Sequence, residues 1–170
     1  MSEVAEWLVP AGAIGSGATA VMDVWALLQK GLFGVPSLDY RLVGRWLGHL
    51  ARGRRRHEAI AAALPIKGEA AIGWTAHYAI GIVFAAALLM IWGPGWVREP
   101  SAVPALIVGL STVLAPFLIL QPALGLGIAA SRTPRPNIAR AKSVVTHLSF
   151  GIGLFAAAQA WSWLTGGGAW

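Results

Sequence analysis

Four stretches of the chain are apolar over lengths that charge hardly interrupts. They run from about Trp7 to Gln29, Ile72 to Trp92, Ala102 to Ala130 and Ser143 to Leu164. Roughly 20 residues of helix cross the hydrocarbon core of a bilayer, so each stretch is long enough. Among Asp, Glu, Lys and Arg, only Asp23 falls inside them. The pattern predicts an all-α integral membrane protein, a bundle of four transmembrane helices in a single domain. The third stretch is longer than a span needs and holds Pro104, Pro116 and Pro122. It is expected to kink, or to end in an interfacial piece after Gln121-Pro122.

The segment from about 30 to 71 has a pattern of its own. Leu42, Val43, Trp46, Leu47 and Leu50 recur at helical spacing, with Arg41, Arg45 and Arg52 between them. This predicts a short amphipathic helix lying on the inner membrane surface. A second short helix is expected to begin near Arg56 and to close at Pro65. Before the first span, Glu3 and Glu6 stand where a cleaved signal peptide would carry basic residues, so that stretch reads as a span rather than a signal.

Charge sets an expected orientation. Lys30, Arg41, Arg45, Arg52, Arg54, Arg55, Arg56 and Lys67 lie between the first two spans. Arg98 alone lies between the second and third. Arg132, Arg135, Arg140 and Lys142 lie between the third and fourth. Neither terminus has a Lys or Arg. The alternation places both basic loops in the cytoplasm and both termini outside, in a bacterial inner membrane. Trp7, Trp92, Trp96, Trp161 and Trp163 would form an outer aromatic belt, and Trp74 part of an inner one.

Composition agrees. Charged residues make up 12% of the chain, about half the share of an ordinary soluble domain, and the mean hydropathy is +0.64. The net charge of +6 is explained by topology and by anionic lipid headgroups rather than by nucleic acid. Arg52, Arg54, Arg55 and Arg56 are the expected lipid-phosphate contacts. The absence of cysteine excludes disulfides, thiolate zinc sites, Cys-ligated iron–sulfur clusters and covalently attached haem.

Two histidine segments resemble each other. Aligned on His77 and His147, Gly81 matches Gly151, Ile82 matches Ile152, and Ala86-Ala87 match Ala156-Ala157. The first and third spans align less closely. This raises a parallel two-helix repeat. Distances along the helices place Asp23, His77 and His147 about 7–12 Å inside the inner charged edge. Gln121 on the third span lies somewhat deeper. On the first span Gly12, Ser16, Thr19 and Asp23 share one stripe, expected to face another helix. Each histidine is followed one turn later by glycine, which leaves room for a neighbouring helix or a flat ligand.

Ionisable groups inside a membrane point to function because their burial is costly. Three readings stay open. Asp23, His77, His147 and Gln121 line a pocket for a small ligand, a cation or a proton, in a binding or transport protein. His77 and His147 are axial ligands of a b-type haem or of another metal, in an electron-transfer protein. Or the groups are structural glue in an accessory subunit of a membrane complex, or in a homo-oligomer, with the amphipathic loop as docking surface. No cofactor is required by the first or third reading. "HEAIA" at His57–Ala61 lacks the second histidine of a zinc-protease helix. No serine nucleophile elbow or phosphate-binding glycine loop is present, and no residue is assigned a catalytic role. "SRTPRPN" reads as a turn, in which Pro134 and Pro136 prevent helix continuation.

"VMDVWALL", "PSLDYRLVGRWLGHL", "GWTAHYAIGIVFA" and "QPALGLGIAASRTP" resemble a bacterial inner-membrane family known as domain of unknown function 2938. The similarity covers nearly the whole chain. It implies a small four-helix membrane protein and brings no activity, cofactor or site residue.

Overall fold

A computed structural model of the chain describes residues 3–166, and these are helical without a strand. Four helices are long and apolar enough to cross a membrane: Trp7–Phe33, Glu69–Trp92, Ala102–Leu124 and Pro136–Leu164. Only 22–33% of each apolar window is buried inside the protein, as suits helices whose outer faces meet lipid rather than water.

Local chemistry sets the ends of these helices. α1 (Glu3–Phe33) overruns its expected end and stops at Gly34, which takes φ +63°. α2 (Tyr40–Leu50) is the amphipathic helix expected from the loop, and the Asp39 side chain caps it by accepting from Arg41 N–H. α3 (Glu69–Trp92) follows Gly68 at φ +77°. The short α4 (Gly95–Arg98) and then α5 (Ala102–Ser111) come next.

The third span departs from regular helix at its prolines, as expected. Pro116 has no N–H to donate, and Pro116–Leu120 winds as a π-turn before α6 (Gln121–Leu124). The span ends at Leu124 rather than near Ala130, because Gly125 turns left-handed at φ +97°. Ile128–Ala130 is a separate 3-10 turn. α7 (Pro136–Leu164) begins at Pro136 rather than near Ser143. Pro136 therefore starts the helix instead of blocking it: at the first helical position its missing N–H has no intrahelical partner to lose.

The second short helix expected after Arg56 is absent. Only Ile60–Ala62 winds, as a 3-10 turn, between extended Ala59 and Ala63. Arg45 Nη1 donates to the Ala61 and Ala63 carbonyls at 3.1 and 3.2 Å, and so takes acceptors that a helix would use.

The chain divides into two compact units. The first takes the chain up to Pro36, Tyr78–Thr112, and Thr146 onward. In it, parts of all four spans pack as a bundle around Ala11, Ile14 and Ala18 of α1, Ala85, Leu88 and Leu89 of α3, Ala105 and Val108 of α5, and Phe150, Leu154 and Ala158 of α7. Trp96, expected in the aromatic belt, is buried in this core instead, and its indole N–H donates to Ser101 O at 3.2 Å. Small residues let the backbones close up. A Cβ on Gly109 would strike the backbone of Gly151, and one on Gly153 would lie 2.8 Å from Ala18 Cα.

The second unit takes Ser37–His77 and Val113–Val145. In it α2 crosses the start of α3 at two glycines. A Cβ on Gly44 would strike the Glu69 carbonyl, and one on Gly73 the Tyr40 carbonyl. Val43, Gly44 and His49 of α2 are buried, so that part of the helix faces protein.

Candidate functional site

α1 presents a ridge at four-residue spacing to α3. Gly15 admits the α3 backbone at Gly81 and Ile82. One turn on, Thr19 is buried, and its hydroxyl donates to Gly15 O at 2.8 Å. The same hydroxyl occupies the place that a Cβ on Gly81 would need. A further turn on, Asp23 Oδ2 accepts a hydrogen bond of 3.1 Å from Tyr78 Oη. Both residues are half-buried. The expected stripe is thus correct at Thr19 and Asp23. At its start Gly15 makes the close approach, and Gly12 has open space where a side chain would begin.

Tyr78 was missed by reading the sequence for histidines. The available signal was a lone phenol in an otherwise apolar span, one residue after His77. A hydroxyl donor and a carboxylate on two spans at similar depth are natural partners, because each would cost free energy unpaired in hydrocarbon.

The four expected site residues divide between the units: Asp23 and His147 belong to the first, His77 and Gln121 to the second. The His77 ring stacks on Tyr40, with centroids 4.1 Å apart and planes at 26°. Trp74 lies 5.8 Å from His77 and 4.6 Å from Tyr40, completing a three-ring cluster where α2 meets α3. Gln121 is buried, and its Nε2 donates to Ser143 Oγ at 3.2 Å. Its Oε1 has no hydrogen-bond partner among the described residues. His147 is half-buried on α7, with its carbonyl oxygen against Gly109.

The glycines that follow the two histidines admit helices. Gly81 is filled by Thr19 of α1, and Gly151 by Ala105, Leu106 and Gly109 of α5. The matched pair therefore does one job twice, each glycine receiving the preceding span, which supports the two-helix repeat. No three His, Asp or Glu side chains among the described residues gather to hold a metal ion.

The arginine run after α2 is exposed. Arg54 N–H and Trp46 Nε1 hold its backbone, on His49 O and Arg55 O respectively, both at 3.0 Å. Arg54 and Arg56 line a cavity together with His57 and Arg132. His57 is buried at 6% exposure, and its ring meets His49 edge-on at 5.0 Å. Burial holds its pKa below the ordinary histidine range, and the charges of Arg54 and His49 push the same way. The sequence offered no link between the arginine run and Arg132.

A family model described as protein of unknown function, DUF2938, matches residues 13–161. The chain belongs to the DUF2938 family. Nothing among curated proteins or solved structures matches the chain. The DUF2938 match contains Asp23, Tyr78, both intramembrane histidines and every residue that lines the cavity. Membership in DUF2938 carries no activity with it, so function has to be argued from these sites.

Proposed function

We propose that this chain is a multi-pass protein of the bacterial inner membrane that binds a proton within the bilayer at Asp23, as part of a transport or proton-relay function. The observation that carries the reading is the Tyr78–Asp23 hydrogen bond of 3.1 Å, made between two spans. A carboxylate within an apolar span is retained at a cost and is suited to proton exchange. A divalent cation is less well served, since it wants several carboxylate or imidazole ligands together and no such group is found among the described residues. His77, His147 and Gln121 are further polar groups on the other three spans.

The orientation proposed has both termini outside and Arg52–Arg56 in the cytoplasm, where they meet anionic headgroups. The chain has no cysteine, so single introduced cysteines report it. Ser2→Cys should react with an impermeant reagent on intact cells, and Ala51→Cys only after lysis. Proton binding is tested by infrared difference spectroscopy of the reconstituted protein. A carboxylic-acid band that titrates in the wild type and vanishes in Asp23→Asn is expected. A spectrum unchanged by Asp23→Asn would end the reading.

A further inference from the structure

The second unit holds a cavity of about 850 Å³. Two segments distant in sequence build it, one following α2 and one following α6. They are tied where His57 N–H donates to Ala123 O at 3.0 Å. Gly125, at φ +97°, lets them close, because a Cβ there would strike the Glu58 carbonyl. Gly127, at φ +76°, lies where a Cβ would strike Ser131 Oγ. The cavity wall is therefore specified by two glycines in conformations that other residues rarely adopt.

Its chemistry is lopsided. Arg54, Arg56 and Arg132 line the cavity against one acid, Glu58. Among the described residues none of these three guanidinium groups is in an ion pair. His57 adds a second imbalance: it is more than nine-tenths buried, and neither ring nitrogen has a hydrogen-bond partner among the described residues. Like charges around one space repel, and a buried ring N–H without an acceptor is costly to leave unpaired. A single anion in the cavity relieves both. Guanidinium forks match the oxygen geometry of phosphate. The volume lies in the range of small-molecule sites and exceeds what a bare phosphate needs, so the ligand has a further body. Leu64 and Ile128 also line the cavity, at 78% and 62% exposure, and offer apolar surface to that body.

We propose that this cavity binds the phosphate group of an anionic ligand, from a phospholipid headgroup or a free phosphorylated solute, through Arg54, Arg56, Arg132 and a ring N–H of His57. The site is independent of the proton site at Asp23. It also differs from general attraction of a basic loop to lipid, because Arg52, Arg55 and Arg135 carry the same charge and do not line the cavity.

The test uses the full chain in a maltoside detergent, which has no phosphate of its own. Phosphatidylglycerol in mixed micelles and glycerol 3-phosphate in solution are each titrated by calorimetry. Saturable binding of at least one probe is expected. It should weaken roughly tenfold in Arg132→Gln and in the double variant Arg54→Gln/Arg56→Gln, and stay unchanged in Arg135→Gln, which lies outside the cavity. Binding of the lipid alone assigns a headgroup, and binding of glycerol 3-phosphate assigns a soluble ligand. Saturation by neither probe, or losses that are equal in cavity and control variants, would overturn the proposal.

Discussion

Arg45 grips Glu69 in a two-pronged ion pair, Nε to Oε2 and Nη2 to Oε1, each at 2.8 Å. The two side chains are only 12% and 14% exposed. Glu69 Oε2 also accepts from Ile66 N–H at 3.0 Å, so one carboxylate holds α2 and the chain entering α3 together. On the helical pattern Arg45 was a basic flank of a surface helix. In the fold it is the pin of the second unit.

Arg45→Ala should therefore destabilise the protein, because it leaves the Glu69 carboxylate without its two-pronged partner. Arg45→Lys should recover little, since an ammonium cannot make both prongs and reach the Ala61 and Ala63 carbonyls. Unfolding in mixed micelles, compared with Arg41→Ala at the exposed Asp39 pair, checks this. Equal effects at the two sites would contradict it.

The α1–α3 ridge makes a second prediction. Gly81→Ala should cost about 1–3 kcal/mol, the usual range for overpacking. The added methyl meets Thr19 Oγ1. In a Thr19→Ala background the same substitution should cost much less, because the clashing oxygen is gone. Gly12→Ala, with open space at that position, should be close to neutral. A double-mutant cycle that shows no coupling between positions 19 and 81 would refute the close approach.

His57 predicts the direction of the pH dependence. Its folded pKa lies below the ordinary histidine value of about 6.5. The unfolded chain therefore takes up the proton first on acidification. The contribution is fully present above about pH 6.5 and is lost as pH falls through the lower folded value. Asp39 shifts downward beside Arg41, but as a carboxylate it matters only at more acidic pH. Melting temperature should fall between pH 7 and pH 5, and His57→Gln should flatten that slope. An unchanged slope in the variant would remove the assignment.

Much of the fold was legible from spacing alone. Apolar stretches long enough to span a bilayer need only length and composition to be recognised. Leu42, Val43, Trp46, Leu47 and Leu50 at helical spacing marked α2 in the same local way. Even the Thr19–Asp23 stripe was visible, because polar residues at helical spacing within an apolar span must face protein. The ends of the helices were less legible. Gly34, Gly68 and Gly125 stop or start them through positive φ, and many other glycines in the chain do not.

The sequence by itself determined the class of the protein: four apolar spans, a basic segment between the first two, and ionisable groups within the apolar spans. Hydrophobicity and helical period are properties of neighbours in the chain, and both read out without a fold. Only the tertiary structure decided the partners. It paired Asp23 with Tyr78, Arg45 with Glu69, and Gly81 with Thr19. It brought Arg132 to the cavity of Arg54, Arg56 and His57. Each of these depends on which helix faces register at a crossing. A one-residue rotation of a helix turns a side chain by about 100°, and nothing local to the sequence fixes that angle.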